Sequence, residues 1–267
     1  MATFETIRVE TDKRGVAFLW LARPDKHNSL NTQMIGELRQ AADELAGDDA
    51  VRVVVLAGEG KSFSAGADLG WMRAQFDRDR AGKIAESLEL ARMLSDLDSL
   101  PKPLIARVHG QAFGGGIGMM AVCDIVIAAA HVKFALTETR LGVIPANIGP
   151  YVVRRLGEGN TRRIFMNGKR FDATVARDLG LVSEVVDADG LDDAVEAEVG
   201  WFLDCAPGAV ADAKALCLAL SRDRIDDQHA FTSESLADRW ETAEAQEGIR
   251  CFFDGEKPSW SRGRNGA

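Results

Sequence analysis

Two glycine-bearing turns, each following a hydrophobic β-run, constrain this chain most: Phe63-Ser64-Ala65-Gly66-Ala67-Asp68-Leu69 and Gly110-Gln111-Ala112-Phe113-Gly114-Gly115-Gly116. A backbone N–H can face a ligand only where the side chains around it are small enough to admit that ligand. The first turn follows Val51 to Ala57, the second follows Leu104 to Val108, and both run on towards helical sequence. Two such donors converging on one carbonyl oxygen make an oxyanion hole.

The alternation of elements around these turns predicts an α/β fold. Phe4 to Glu10 and Val16 to Leu21 read as a hairpin, and Asn31 or Thr32 caps a helix whose apolar positions Met34, Ile35, Leu38, Ala41, Ala42 and Leu45 keep the 3.6-residue period up to Gly47. Val51 to Ala57 is so uniformly apolar that it reads as a buried parallel strand. Ile84, Leu88, Ala91, Leu94 and Leu97 mark a second helix, and a third runs from the triple glycine through Met119 to Ala121. Cys123 to Ala129 returns as strand, followed by a short segment at Lys133 to Ala135. The order β, α, β, α, β implies right-handed crossovers. From about Asn147 the pattern turns helical, with a strand-like break at Leu181 to Val186 and three amphipathic helices between Asp189 and about Arg250. We expect a core over 1–190, a helical region over 191–257 that covers the site or makes subunit contacts, and a frayed tail over 258–267.

Composition narrows the function. With 267 residues the chain can bury a large core, and 32 basic against 41 acidic residues leave a net charge of −9, which argues against a nucleic-acid surface. Clusters such as Arg23 with Lys26 and His27, or Arg162 with Arg163, still allow a phosphate-bearing small ligand. Cys123, Cys205, Cys217 and Cys251 form no CxxC pair and the four histidines lack zinc spacing, so we expect no metal and reduced, mostly buried thiols. The charged Met1 to Gly15 segment lacks a leader-like apolar core and no later stretch suits a bilayer, from which a cytoplasmic protein without membrane partners is expected.

Five spaced segments then carry a family resemblance: Arg23-Pro24 to Asn28-Ser29-Leu30, Phe63 to Leu69, Lys102-Pro103 to Gly116, Cys123-Asp124, and Thr137-Glu138 to Ile144-Pro145. In this order, over about Phe4 to Lys257, the chain resembles the enoyl-CoA hydratase/isomerase (crotonase) superfamily. It looks closest to the bacterial methylglutaconyl-CoA hydratase-like branch, through Trp71-Met72-Arg73 and Pro145-Ala146 with Pro150 to Val153. The resemblance implies a crotonase-like ββα spiral with a C-terminal helical region, assembled as a homotrimer or a dimer of trimers. It implies no separate cofactor, because coenzyme A belongs to the acyl-CoA substrate.

The resemblance also assigns roles. The amides of Ala67 and Gly115 would hold the thioester oxygen, and Glu138, among apolar neighbours that raise a carboxyl pKa, would move the proton. Lys26, Ala65, Asp68, Leu69 and Lys257 would contact CoA. Trp71, Met72, Ile144 and Asn147 would shape the acyl pocket. One departure stands out: hydratases of this superfamily carry a second glutamate two residues past the triple glycine, where this chain has Gly118. We expect the space left by Gly118 to admit a branched or carboxylated acyl group, as in branched-chain amino acid degradation, and place hydration ahead of double-bond isomerisation by Glu138 alone. The rival from another class is a non-catalytic acyl-CoA-binding homologue, which the intact Glu138 argues against.

Two further motifs fail on context. Gly116-Ile117-Gly118-Met119-Met120-Ala121 fits the dinucleotide fingerprint in letters, but it starts eight positions past Val108 and lacks an acidic residue at a following strand end. Ser62-Phe63-Ser64-Ala65-Gly66 has Ser62 where a nucleophile elbow needs glycine.

Overall fold

The computed structural model describes residues 3–221, 225–256 and 258. The hairpin forms as expected, from β1 (Ile7–Thr11) and β2 (Val16–Leu21), and opens a six-stranded sheet. Its other strands are β3 (Val53–Gly58), β5 (Leu104–Val108), β7 (Ile125–Ala129) and β10 (Glu184–Val186), in the order β1-β2-β3-β5-β7-β10. Only β1 runs antiparallel to its neighbour. Every residue of β3 is buried, as a strand covered on both faces requires.

A second, smaller sheet is not apparent from periodicity. Its strands are β4 (Ser62–Ser64), β6 (Gln111–Phe113), β8 (Lys133–Ala135) and β9 (Phe171–Asp172), in that order. Each follows a strand or helix of the main layer after a sharp corner, so β3–β4, β5–β6 and β7–β8 are three successive steps of one spiral. β4, β6 and β8 run parallel to one another, which brings their C-terminal ends side by side.

Helix α1 (Thr32–Gly47) starts where its sequence says, with the Asn31 side chain accepting from the Met34 amide, and buries the six apolar residues of the stripe. Helix α2 is Leu69–Ala74 and α3 is Arg80–Asp98. In the first half of α3 the buried positions are Lys83 and Ser87, while Ile84 and Leu88 are half-buried. The spacing expected for that stripe therefore holds only from Ala91 onward, because a second helix layer, rather than the main core, faces the first two turns.

Helices α4 (Gly115–Ala121), α5 (Gly149–Phe165) and α6 (Ala173–Asp178) complete the spiral. Among the described residues the C-terminal region holds four helices, not three: α7 (Leu191–Leu203), α8 (Pro207–Ser221), α9 (Ile225–Trp240) and α10 (Ala243–Asp254). Helix α7 packs into the main core through Leu191, Val195 and Val199, so the division expected at 190 falls within continuous packing. Helix α8 is tied down by charge: Asp124 accepts from the Leu104 amide at 2.7 Å and from Lys214 Nζ at 2.8 Å. Helix α9 lies on α3, and α10 on the turn Glu138–Leu141. There Met72, Val143, Ala146, Leu236, Trp240, Ala245 and Ile249 form a second apolar cluster, separate from the main core.

Of the four cysteines, Cys123 and Cys251 are buried and Cys205 and Cys217 exposed, so the expectation of mostly buried thiols is met by half of them. No helix among the described residues is long and apolar enough to cross a membrane.

Candidate active site

The three parallel strands of the small sheet deliver three functional groups to one place. Ala67 lies three residues beyond β4, Gly115 two beyond β6, and Glu138 three beyond β8. The glycine turns thus leave the small sheet rather than the long strands that precede it. A hydrogen bond from the Gly114 amide to Ala135 O, 3.0 Å, ties two of the three ends together.

The first turn is held by backbone pairing. The Leu30 amide donates to Gly66 O at 2.7 Å, and the Asp68 amide donates to Leu30 O at 2.9 Å. Successive amides of an extended segment point to opposite sides, so the intervening Ala67 N–H faces away from Leu30. The Gly115 amide opens α4 and, as the first in its helix, has no intrahelical acceptor. Neither amide has a hydrogen-bond acceptor within the described residues. Gly66, at φ 86°, permits the approach: a Cβ there would stand 2.7 Å from Phe113 O and 3.2 Å from Gly115 N.

Asp68 fixes the turn from the other side. Its carboxylate accepts from the Gly70 amide at 2.8 Å, the Trp71 amide at 3.2 Å, Ser29 Oγ at 3.1 Å and Arg23 Nη2 at 3.1 Å. Burial pushes this carboxyl up, but the two amides, Arg23 and Ser29 outweigh it and hold it below its ordinary value. All these donors are internal. Asp68 therefore caps α2 and braces the turn that carries Ala67, and it does not line the cavity.

Ala67, Gly115 and Glu138 line one cavity of about 380 Å³. The Glu138 carboxyl sits beside Gly114, where a Cβ would meet Oε1 at 3.1 Å. Its Oε2 is buried without a hydrogen-bond partner among the described residues. Burial pushes the carboxyl up to about 7, against a smaller pull from its own backbone amide. That value suits a group that must take and return a proton near neutral pH.

Trp71, Met72, Ile144 and Asn147 line the same cavity, as do Ala65 and Leu69. The Trp71 indole is pinned by Nε1 donating to Glu86 Oε2 at 3.0 Å. Lys26 is exposed on the turn Pro24–Lys26 and does not line the cavity, and Lys257 lies outside the described residues. The expected tail from 259 onward lies outside them too.

Gly118 departs from expectation. It is buried and absent from the cavity wall, and a Cβ on it would stand 2.2 Å from Ile148 Cγ2 and 2.8 Å from Ile148 Cβ. The room for a larger acyl group expected at this glycine does not exist, because Ile148 fills it.

Several wall residues escaped the sequence reading. Leu236 and Trp240 arrive from α9 and Phe252 from α10, while Arg140 stands two residues past Glu138. The i, i+4 spacing of Leu236 and Trp240 marks an apolar helix face. Nothing in that spacing says which cavity the face closes. Arg140 makes no ion pair among the described residues.

A two-sheet spiral that sets two amides, unpartnered among the described residues, and a buried glutamate around an apolar cavity defines a class of fold able to polarise a carbonyl group and move a proton beside it. Comparison with known proteins places the chain within that class: the sequence pattern of the enoyl-CoA hydratase/isomerase family matches residues 11–263, and the chain belongs to that family. An enoyl-CoA hydratase from Mycobacterium avium has a similar crystal structure, with a TM-score of 0.87 at 31% identity over 97% of this chain and 100% of that one. One from Shewanella pealeana is 37% identical, with a TM-score of 0.79 over 96% of each chain. A mitochondrial Delta(3,5)-Delta(2,4)-dienoyl-CoA isomerase from Dictyostelium discoideum is 33% identical over 68% of this chain and 66% of its own length.

Proposed function

We propose that this protein is an enoyl-CoA hydratase that adds water to a 2-enoyl-CoA thioester. The observation that carries the reading is the meeting of the Ala67 and Gly115 amides and the Glu138 carboxyl at one apolar cavity. The thioester oxygen lies between the two amides, which stabilise the charge it gains. Ionised Glu138 takes a proton from water as the water oxygen bonds to C3. The π electrons move to the thioester oxygen as an enolate. The carboxylic acid then returns that proton to C2, so one carboxyl completes the addition. Ala65 and Leu69 flank the thioester's path to CoA, Lys26 meets its phosphates, and no cofactor beyond the substrate takes part.

Isomerisation is the second reading, favoured by Glu138 being the only carboxylate on the cavity wall among the described residues. There the same group would carry a proton between C2 and C4. A carboxylated or branched acyl chain is supported by Arg140, whose guanidinium is available on the wall, and not by space at Gly118. The working form is a trimer or pair of trimers, which sedimentation would report as three or six times 28.9 kDa.

The deciding experiment follows the conjugated thioester absorbance with crotonyl-CoA, 3-methylglutaconyl-CoA and a 3-enoyl-CoA. Loss of absorbance with the first two is the expected result. A gain with the third, and no loss with the others, would replace hydration by isomerisation.

A further inference from the structure

Seven buried side-chain polar atoms among the described residues lack a hydrogen-bond partner, and two of these, Glu138 Oε2 and Asn147 Oδ1, belong to residues that line the cavity. Asn147 is 3% exposed. Its Nδ2 donates to Ser87 O on α3 at 2.6 Å. A carbonyl oxygen can only accept, so this bond fixes the amide orientation and leaves Oδ1 as the unpaired atom. Buried acceptors are rarely left without a donor in a folded protein, and when they are, an unseen water or ligand is a usual reason.

An ionised Glu138 carboxylate and the Asn147 carbonyl are both pure acceptors, carried by residues that line an otherwise largely apolar cavity. The small molecule that brings two O–H donors and fits such a pair is water. We propose that Asn147 positions the water that adds to the double bond, accepting through Oδ1 the hydrogen that Glu138 does not remove. This rests on the hydration reading above. Atoms balance: one water proton passes through Glu138 to C2, the water oxygen bonds to C3, and the proton held at Asn147 stays on the product hydroxyl. Asn147 then supplies, from the loop before α5, the second anchor that a hydratase lacking a carboxylate at Gly118 needs. It exchanges no proton itself.

The test separates water placement from proton transfer. Exchange of the C2 hydrogen of a saturated acyl-CoA in deuterated buffer needs Glu138 and the two amides but no water at C3. Asn147→Leu removes the acceptor and keeps the volume, while Asn147→Ala leaves room for solvent. Each is checked for folding by circular dichroism. We expect hydration kcat to fall about tenfold to a hundredfold further than the C2 exchange rate, the loss of one oriented hydrogen bond, beyond any change in pocket shape that both reactions share. Equal losses in both reactions, unchanged hydration, or failure of both variants to fold would overturn the role of Asn147 and leave the hydration reading standing. A wild type that adds no water to any 2-enoyl-CoA would overturn that reading and this proposal together, before any variant is made. Hydration without C2 exchange in the wild type would overturn the proposal alone, since it removes the shared enolate step.

Discussion

At the scale of single residues, a carboxyl lodged beside Gly114 with one oxygen unpartnered titrates at about 7 because water cannot solvate its charge. Activity that needs Glu138 as a base should therefore rise with pH through about 7, read as the acid limb of kcat/KM. Glu138→Gln should lower kcat about a thousandfold while leaving acyl-CoA affinity nearly intact. The same burial has a cost in folding. The group ionises near 4.5 when unfolded and about 7 when folded, so the native chain holds its proton longer and loses stability as pH rises between those values. The full difference is about 3 kcal/mol, and below 4.5 it vanishes. Glu138→Gln should remove it, giving a melting temperature that exceeds that of wild type at pH 8 and matches it at acid pH. Gly118 is the second residue-scale case. Gly118→Glu should overpack against Ile148 and cost several kcal/mol, at or above the ~1–3 kcal/mol usual for an overfilled core. Adding Ile148→Gly should recover part of that loss in a thermal melt.

At the scale of elements, function depends on how short segments are braced. Asp68 gathers two amides of α2, Ser29 and Arg23 into one knot next to the Ala67 amide. Asp68→Ala should cost about 1–2 kcal/mol as a lost cap, measured by urea unfolding. It should also depress kcat more than KM, since the Ala67 amide, proposed above to meet the developing charge, loses its brace. The elements also divide into those readable from sequence and those not. The buried stripe of α1 was legible residue by residue because a 3.6-residue period and an Asn cap are local signals. The small sheet was not, because strands of two or three residues carry no period and owe their existence to corners in the spiral. The glycine turns and Glu138 were recognisable as motifs. Their convergence depends on β4, β6 and β8 being parallel neighbours, which is a matter of topology. The role of Ile148 at Gly118 joins positions thirty residues apart, and nothing local to either announces it.

At the scale of the whole molecule, the C-terminal helices supply one side of the cavity, here called the chamber. α9 and α10 rest on α3 and on the turn bearing Glu138, and contribute Leu236, Trp240 and Phe252 to the wall. Trp240→Ala should destabilise the chain by about 3–5 kcal/mol, as for other buried aromatic truncations, and widen the chamber. The survivors should shift preference towards longer acyl chains, seen as a rise in the ratio of kcat/KM for long over short substrates. The wall has a practical consequence as well. Of five tryptophans in the chain, Trp71 and Trp240 face this one chamber from different helices. An acyl group entering between them changes the surroundings of both indoles at once, so the protein carries its own optical gauge of occupancy. Emission excited at the red edge of indole absorption, where adenine is dark, would report filling of the chamber without any label or turnover.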